Sequence, residues 1–563
     1  MNMCWNRSFT AALVLPLLII TLCLSSCGAA NRTEQPETAA AETGDAAGDA
    51  EKAEDAAEEG VLRIAVTEPI TTMDIHRTTT DYMIPLNIYE RLFDIRLKEN
   101  GTTELVPDLI RQYSLARDGR TYTFTLRDDA YFSDGSRVTA EDVEFSFTRM
   151  LSLSDSQQTD FADAILGAED VLAGKTDTLE GIRVIDDTHF KIILSEPFSG
   201  YIYQLATPSC SILSKNCVEK NGFRFGAVPE ATIGSGPYMV TEFGDKKITL
   251  ELNPHYSGEQ PSAKKVEILL LEPALLDQKF RAGGIDILDS SAISSEKFDE
   301  IYRTEAWEDR LVSIGCANIR YLMLNTAEKP LSDVRVRRAV LKAINRQKIL
   351  DELFDGDGNI IDGIFPRNLN GFSEENQGWL TYDPEGAGKI LEEVGPAAAQ
   401  TRIELAAEST AGARDLALLE MIRKDLEDAG FRVSIVNYDA DSRMFLRKAG
   451  KLMAYTGIWS ADYNDPDNFI YTFFGSREKT LNHSGNFSDT SVMERIAKAR
   501  RIEDPEKRMR EYAALEKKLI RDEALWVPLM STNQVFVLGD RVESLTPYWA
   551  GWEDLVFKDI VLK

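Results

Sequence analysis

Histidine is scarce in this sequence, and so is any arrangement that would give it catalytic or metal-binding work. The four histidines, His76, His189, His255 and His483, lie far apart. None sits in an H-E-x-x-H motif, and none pairs with a cysteine at zinc-ligand spacing. No G-x-S-x-G turn presents a nucleophilic serine. "GAGKI", which begins at Gly386, lacks the spacing and the closing Ser or Thr of a phosphate-binding loop. "DGDGN", 355–359, lacks the sixth-position glycine and twelfth-position glutamate of a calcium loop and reads as a turn. Carboxylates are abundant, but no pair stands out as an acid/base couple. These gaps argue against an enzyme, and no metal or cofactor is expected.

Positive charge is short as well. Lys and Arg number 63 against 92 Asp and Glu, a net charge of −29. Nucleic acid needs a basic footprint and is excluded as a partner. An extended contact with anionic lipid is disfavoured on the same ground. Apolar residues, at 43%, still suffice for a real core. The 563 residues are too many for one ordinary domain; about 150 residues each would give roughly three or four.

Only one long apolar run exists. "MNMCWNR" is a slightly basic start, "FTAALVLPLLIITLCL" an apolar stretch, and "LSSCG" follows, Leu24 to Gly28. Small residues directly before a cysteine resemble the bacterial lipobox, whose cysteine becomes the diacylated first residue of the mature chain. Cys27 occupies that position. Residues 1–27 therefore read as a lipoprotein signal peptide, and the rest as an extracytoplasmic protein held to the membrane by its lipid alone. Residues 28–60 carry −8 of the net charge, with no aromatic residue. Such a segment buries too little to offset its ordering entropy and reads as a disordered acidic tether.

Cysteine is equally limited. Of six, Cys27, Cys210, Cys217 and Cys316 survive processing. Cys210 and Cys217 are close in sequence, and an oxidising compartment makes them candidates for a small disulfide loop. Cys316 is then a buried free thiol.

The folded part begins at "VLRIAV", 61–66, a short strand. "NIYERLFDIR", 87–96, has helix-like spacing, and "TYTFTLRD", 121–128, alternates as a strand. Thr139 predicts a helix cap with Asp142 in the first turn, opening a helix over 140–151 whose apolar face is Val143, Phe147, Met150 and Leu151. Residues 182–195 predict a hairpin. "IGSGPYMVTEF" puts glycines where a tight backbone is needed, ahead of a strand. Residues 331–353 read as one amphipathic helix opened by Ser332 or Asp333, its arginines a solvated or ion-paired face. After it come a helix, a C-capping glycine at Gly430 and a strand, half of an α/β unit. The fold class is α/β with several lobes, and such architectures place ligands between lobes.

The stretch beginning at Glu104, "ELVPDLIRQYSLARDGRTYTFTLRDDAYFSDGSRVTAEDVEFSFTRM", resembles the signature region of the family 5 extracellular solute-binding proteins, the peptide-binding proteins of ABC importers. The resemblance continues in order through "IGSGPYMV", "LELNPHYSG", "GGIDIL", "LNTAEKPLSDVRVRRAVLKAINRQKI", "YDPEGAGKILEEVG" and "WSADYNDPDNF". It implies a class II periplasmic-binding-protein-like fold of two hinged lobes with an additional domain. Carried onto this chain, lobe I is 61–79, 232–314 and 535–563, the extra domain is 80–231, and lobe II is 315–534. Strands cross between lobes near 314–320 and 532–538.

The implied activity is capture of a peptide in the cleft and its delivery to the membrane permease of an ABC transporter, by a monomer. The same fold binding another solute, such as a nickel chelate, an opine or a sugar, is the alternative. In peptide-binding members an aspartate in a W-x-A-D segment receives the ligand's α-ammonium. That segment is Trp459-Ser460-Ala461-Asp462 here, so Trp459 and Ala461 are expected to line the slot and Asp462 to hold the amine. The resemblance also brings in Arg447 and Arg414 as candidates for the ligand carboxylate, the backbone at Ile70 for main-chain pairing, and Phe161 for the cleft wall. Three departures are evident: Pro69 removes a backbone donor, Phe161 replaces a frequent tyrosine, and Thr456 stands where some oligopeptide binders have arginine. Asn464, Asp465 and Asp467 read as turn and helix-start residues.

Overall fold

The computed structural model describes residues 59–79, 82–98, 100–551 and 554–563. The expected signal peptide, Cys27 and all of the tether before residue 59 lie outside the described residues.

Three main sheets carry the architecture. In the first, Val61–Val66 lies parallel to Lys265–Leu270, about 200 residues downstream, followed by Lys247–Leu252 and Tyr238–Phe243 in antiparallel order. A parallel neighbour cannot be reached by a tight hairpin. The chain uses the excursion to build a second body around the sheet Ile110–Leu115, Thr121–Leu126, His189–Ile193 and Ile182–Val184. Tyr122, Phe124 and Leu126 alternate inward from this sheet, and Phe124 stacks on Phe190 of the adjacent strand. The predicted helix is Ala140–Ser152; the Thr139 N–H and hydroxyl both donate to the Asp142 carboxylate. The other oxygen of Asp142 accepts from the Lys215 N–H and so docks the next helix, Lys215–Asn221.

The third sheet has the order Ile287–Asp289, Trp526–Leu538, Asn318–Leu324, Ala454–Ser460, Arg402–Glu408 and Arg432–Tyr438. Its 13-residue strand Trp526–Leu538 pairs with different partners along its length. One end pairs with Leu311–Gly315, from Leu311↔Val537 to Gly315↔Asn533. The other pairs with Asn318–Leu324. Between the two pairings, Cys316 N–H donates to Thr532 C=O, and Asn318 and Thr532 exchange side-chain hydrogen bonds. Two adjacent strands thus pass from one hydrophobic core to the other. Phe536 and Leu538 join the core of the first sheet, whereas Val527, Leu529 and Met530 join the core beneath the third.

Glycines permit one close approach. A Cβ on Gly234 would stand 1.8 Å from the Ile88 carbonyl oxygen, and one on Gly236 2.7 Å from the Ile88 carbonyl carbon. Gly236 N–H donates to that same carbonyl. The glycines of "IGSGPY" therefore let two backbones touch.

Several expectations are corrected. Residues 87–96 are the end of a helix, Met83–Ile88, and a strand, Phe93–Leu97. Phe93 and Ile95 alternate inward, a period that a short apolar run does not reveal. Residues 331–353 form two helices, Val334–Ala343 and Arg346–Leu353. Asn345 interrupts them: its side chain caps the Lys348 N–H, and its own N–H donates to Asp425. Two arginines of this region are buried and not solvated. Arg337 donates to the Leu331 and Glu523 carbonyls, and Arg346 to three carbonyls and Asp362.

The disulfide does not form. Cys210 and Cys217 are separate buried thiols. Cys210 packs in the core shared by the second body and the third sheet, Cys217 in the core of the first sheet, so neighbours in sequence face different interiors. Cys316 is buried and outside any disulfide, its thiol donating to the Gly551 carbonyl.

Candidate functional site

A cavity of about 990 Å³ opens where the bodies meet. One wall is the edge strand Val61–Val66 and the loop after it, including Glu68 and Ile70. Tyr82, Phe161 and Ser209 form a second wall; Cys316, Asn318, Thr532 and Asn533 of the crossing strands form the floor. Ser460 and Asp462 complete it. Glu68, Asp289, Asp462 and Asp554 line this cavity, and no Lys, Arg or His is among its described lining residues.

Asp462 has no ion-pair partner among the described residues. Its Oδ2 accepts from Asn468 Nδ2 at 2.8 Å. Burial raises its pKa to about 6, against the opposing Asn468 hydrogen bond and with the nearby Asp160 charge adding to the rise. The carboxyl is therefore poised to gain from a cation brought to it.

A second hollow of about 600 Å³ lies further along the same strands. Asn318 and Ser460 are register partners at the first cavity; two residues on, Arg320 and Ile458 are partners at the second. Here both signs of charge meet: Arg320, Arg443 and Arg447 line it together with Glu408 and Asp415. Arg320 donates to Asp415, and burial lowers its pKa. Arg443 donates to the Thr456 carbonyl and lies 3.8 Å from Glu408. Buried Nε atoms of Arg320 and Arg443 have no hydrogen-bond partner. Arg447 has a hydrogen bond with Tyr455 and no carboxylate partner among the described residues. His483, held to the Lys479 carbonyl through Nδ1, has its pKa lowered to about 4 chiefly by burial and is neutral at pH 7.

Between these hollows runs Ala454–Ser460. One edge pairs with Asn318–Leu324 over all seven residues. On the other edge only Ala454 has a partner, Leu405. From Tyr455 to Ser460 no residue of that edge has a ladder partner among the described residues, and Ile458 is exposed. An open strand edge is a template for an extended chain.

The structure thus brings Asp462, Ile70 and Phe161 to one cavity, and Trp459 and Arg447 to the other hollow. Ala461 does not line either: it is fully buried, its N–H donating to the Ala317 carbonyl. Arg414 is exposed and absent from both linings, lying over the Phe354 ring beside Arg320. Trp459 meets Phe473 edge-to-face at 5.1 Å, and its Nε1 donates to Asn468.

Arg320, Arg443 and Asn468 were not singled out by sequence. Arg443 and Arg447 stand four apart on the helix Ala440–Lys448, a spacing that puts both on one face. Arg320 is the one charged residue of the strand Asn318–Leu324, the one sequence signal it offers.

The acidic residues after Asp462 are more than turn formers. Asp465 is fully buried in a two-pronged pair with Arg508. Asp467 accepts from Tyr512 and Arg500. Asn464 reaches Thr103 in the second body, where Phe198 also packs edge-on to Tyr463. This network clamps the Asp462 loop from behind.

Residues 104–480, more than half of the chain, match the bacterial extracellular solute-binding proteins, family 5 Middle. The dipeptide-binding protein of Escherichia coli K12 is 27% identical over 446 residues, covering 76% of this chain and 80% of that protein. A probable D,D-dipeptide-binding periplasmic protein of the same strain is 25% identical over 495 residues, covering 84% and 88%. Among solved structures, the unliganded open form of the periplasmic murein tripeptide binding protein MppA superposes with a TM-score of 0.78 at 21% identity, covering 90% of this chain and 98% of that one. The chain shares the overall fold of that structure. The chain belongs to the family 5 bacterial extracellular solute-binding proteins.

Proposed function

We propose that this protein captures short peptides with a free α-ammonium and a free carboxylate and delivers them to the permease of an ABC importer. The observation that carries this reading is the open edge of Ala454–Ser460, bounded by an acidic cavity without a base at one end and an arginine hollow at the other. An extended peptide adds to that edge through its main chain, which is indifferent to side-chain identity. Its ammonium meets Asp462 and its carboxylate meets Arg447, supported by Arg443 and Arg320. Thr456 to Ser460 spans roughly 13 Å at about 3.3 Å per residue, room for about three or four residues. Ile70 and Phe161 face the amine end of the ligand. The relatives named as dipeptide-binding proteins support the same class of ligand.

The protein works as a binder and not as an enzyme: closure of the lobes around ligand, pivoting on the crossing strands, shifts an equilibrium already present in the unliganded chain. Residues 61–79, 232–314 and 535–563 form lobe I, 80–231 the extra domain and 315–534 lobe II. Lipidation of Cys27 holds the protein on the outer face of the membrane. No helix among the described residues is long and apolar enough to cross one. Cys27→Ser should release the protein from membranes; persistent membrane retention would refute the anchor.

Mass spectrometry of ligand that co-purifies with the protein, followed by titration calorimetry, tests the central reading. Free peptides should bind, with N-acetylated and C-amidated versions weaker by about tenfold or more each. Equal binding of all three forms, or recovery of a metal chelate, an opine or a sugar, refutes it.

A further inference from the structure

Asp462 alone does not explain its own orientation. It precedes a loop, and its carboxylate must be held against a cavity wall before any ligand arrives. The helix that follows, Asp467–Phe474, supplies the holder. Asp465 Oδ1 caps its first N–H, and its second residue, Asn468, is buried at 2% exposure.

The Asn468 side chain makes three hydrogen bonds, all inside the W-x-A-D segment or the loop it opens. Its Oδ1 accepts from the indole Nε1 of Trp459 at 3.0 Å and from the backbone N–H of Asp462 at 3.2 Å. Its Nδ2 donates to Asp462 Oδ2 at 2.8 Å. Two obligate donors meet at Oδ1, so the amide has only one orientation that satisfies them. That orientation aims the NH2 at the carboxylate. Trp459 is itself fixed by Phe473, five residues after Asn468 on the same helix. Oδ2 is thereby engaged by the amide, and the carboxylate it orients belongs to a residue lining the cavity.

We propose that Asn468 is the positioning residue of the ammonium site, orienting and stabilising the ionised Asp462 carboxylate, with Trp459 locking the amide in the productive orientation. The proposal rests on the reading of Asp462 as the ammonium acceptor. An amide donor meets both needs. A carboxylate at 468 would repel Asp462, and an aliphatic side chain would leave Asp462 Oδ2 unpartnered in a buried place. The arrangement also joins the two ends of the site, because Trp459 lines the arginine hollow and Asp462 the acidic cavity.

The test uses Asn468→Asp and Trp459→Phe beside the unaltered protein. Each is titrated calorimetrically with a tripeptide such as trialanine, free and N-acetylated, from pH 5 to pH 8, and its thermal unfolding is recorded. Asn468→Asp should weaken the free tripeptide about tenfold at pH 7 and raise the pH midpoint of its binding, leaving the acetylated form nearly unchanged. Trp459→Phe keeps the ring and loses only the N–H; it should shift the midpoint the same way with a smaller loss, about threefold. A residue that only supports the fold would lower the unfolding temperature without moving the midpoint or the free-to-acetylated ratio. If both quantities stay at their unaltered values in the folded variants, the role of Asn468 is refuted while Asp462 stands. If Asn468→Asp does not fold, Trp459→Phe decides by the same two quantities. Should the unaltered protein bind both tripeptides equally, the ammonium reading falls, and this proposal with it.

Discussion

Replacing Asp462 by asparagine should push stability and binding in opposite directions. In the unliganded protein burial raises the Asp462 pKa from 3.8 to about 6. A group whose pKa is raised on folding contributes stability below its unfolded value, and that contribution is lost as pH rises through the folded value. At pH 8 the ionised carboxylate therefore costs the fold up to about 3 kcal/mol, two pKa units at about 1.36 kcal/mol each, less whatever cleft water screens. Asp462→Asn removes that cost. For a folded part of some 500 residues, with an unfolding entropy near 1 kcal/mol/K, the gain is at most about 3 °C in Tm at pH 8. It should shrink as pH falls below about 6 and disappear below about pH 3, where aspartate is protonated in both states.

Binding should move the other way. A charge-assisted hydrogen bond to the ligand ammonium contributes about 1.5–3 kcal/mol, so the variant should bind a free tripeptide roughly ten- to 150-fold more weakly at pH 7.5. The unaltered protein should also lose affinity about fivefold between pH 6 and pH 5, as the ionised fraction of Asp462 falls from about one half to about one tenth. The variant should show no such loss. Calorimetric titration and thermal scans at matched pH measure both effects. A variant that binds as tightly as the unaltered protein, or that is less stable than it at pH 8, would refute the assignment of Asp462 as a strained carboxylate waiting for a cation.

Other parts of the site and fold are open to similar tests. Arg447→Ala should weaken free peptides by about 1.5–3 kcal/mol in calorimetry and leave C-amidated peptides nearly unaffected; an equal loss for both would place the ligand carboxylate elsewhere. Arg508→Ala leaves Asp465 buried without its partner and should destabilise the protein by about 3–5 kcal/mol in denaturant titration, whereas an unchanged midpoint would contradict the observed burial. Gly234→Ala, whose Cβ would stand 1.8 Å from the Ile88 oxygen, should cost about 1–3 kcal/mol or more and reduce soluble yield; normal stability would contradict that backbone contact. Cys210, Cys217 and Cys316 should each take up an alkylating reagent on unfolding without reductant, with peptide mapping as the readout and protected Cys210 and Cys217 as the refuting result.

Much of this protein is legible along the chain because the relevant physics is local. The Thr139–Asp142 cap, the hairpin over 182–195 and the helix, glycine and strand around Gly430 depend on residues within a few positions of one another. The reading failed where a short apolar run fits two periods, at 87–96, and where a distant partner breaks a helix, as Asp425 does at Asn345. It failed again at Cys210 and Cys217, whose proximity in sequence says nothing of the separate interiors that receive them.

The sequence by itself determined the acidic surface, the scarcity of catalytic groups, the order of strands and helices, and the segment that ends in Asp462. It could not say which of the clustered charges would be spent inside the fold. Asp465 and Asp462 are three residues apart and chemically identical, yet Asp465 is neutralised by Arg508, 43 residues away, and Asp462 is left facing a cavity. Arg346 is consumed by buried carbonyls and Asp362, while Arg447 lines the second hollow with no carboxylate partner among the described residues. The physical reason is that ion pairing and desolvation depend on distance in space and on burial. Both are settled only when the lobes, the second body and the crossing strands have packed together.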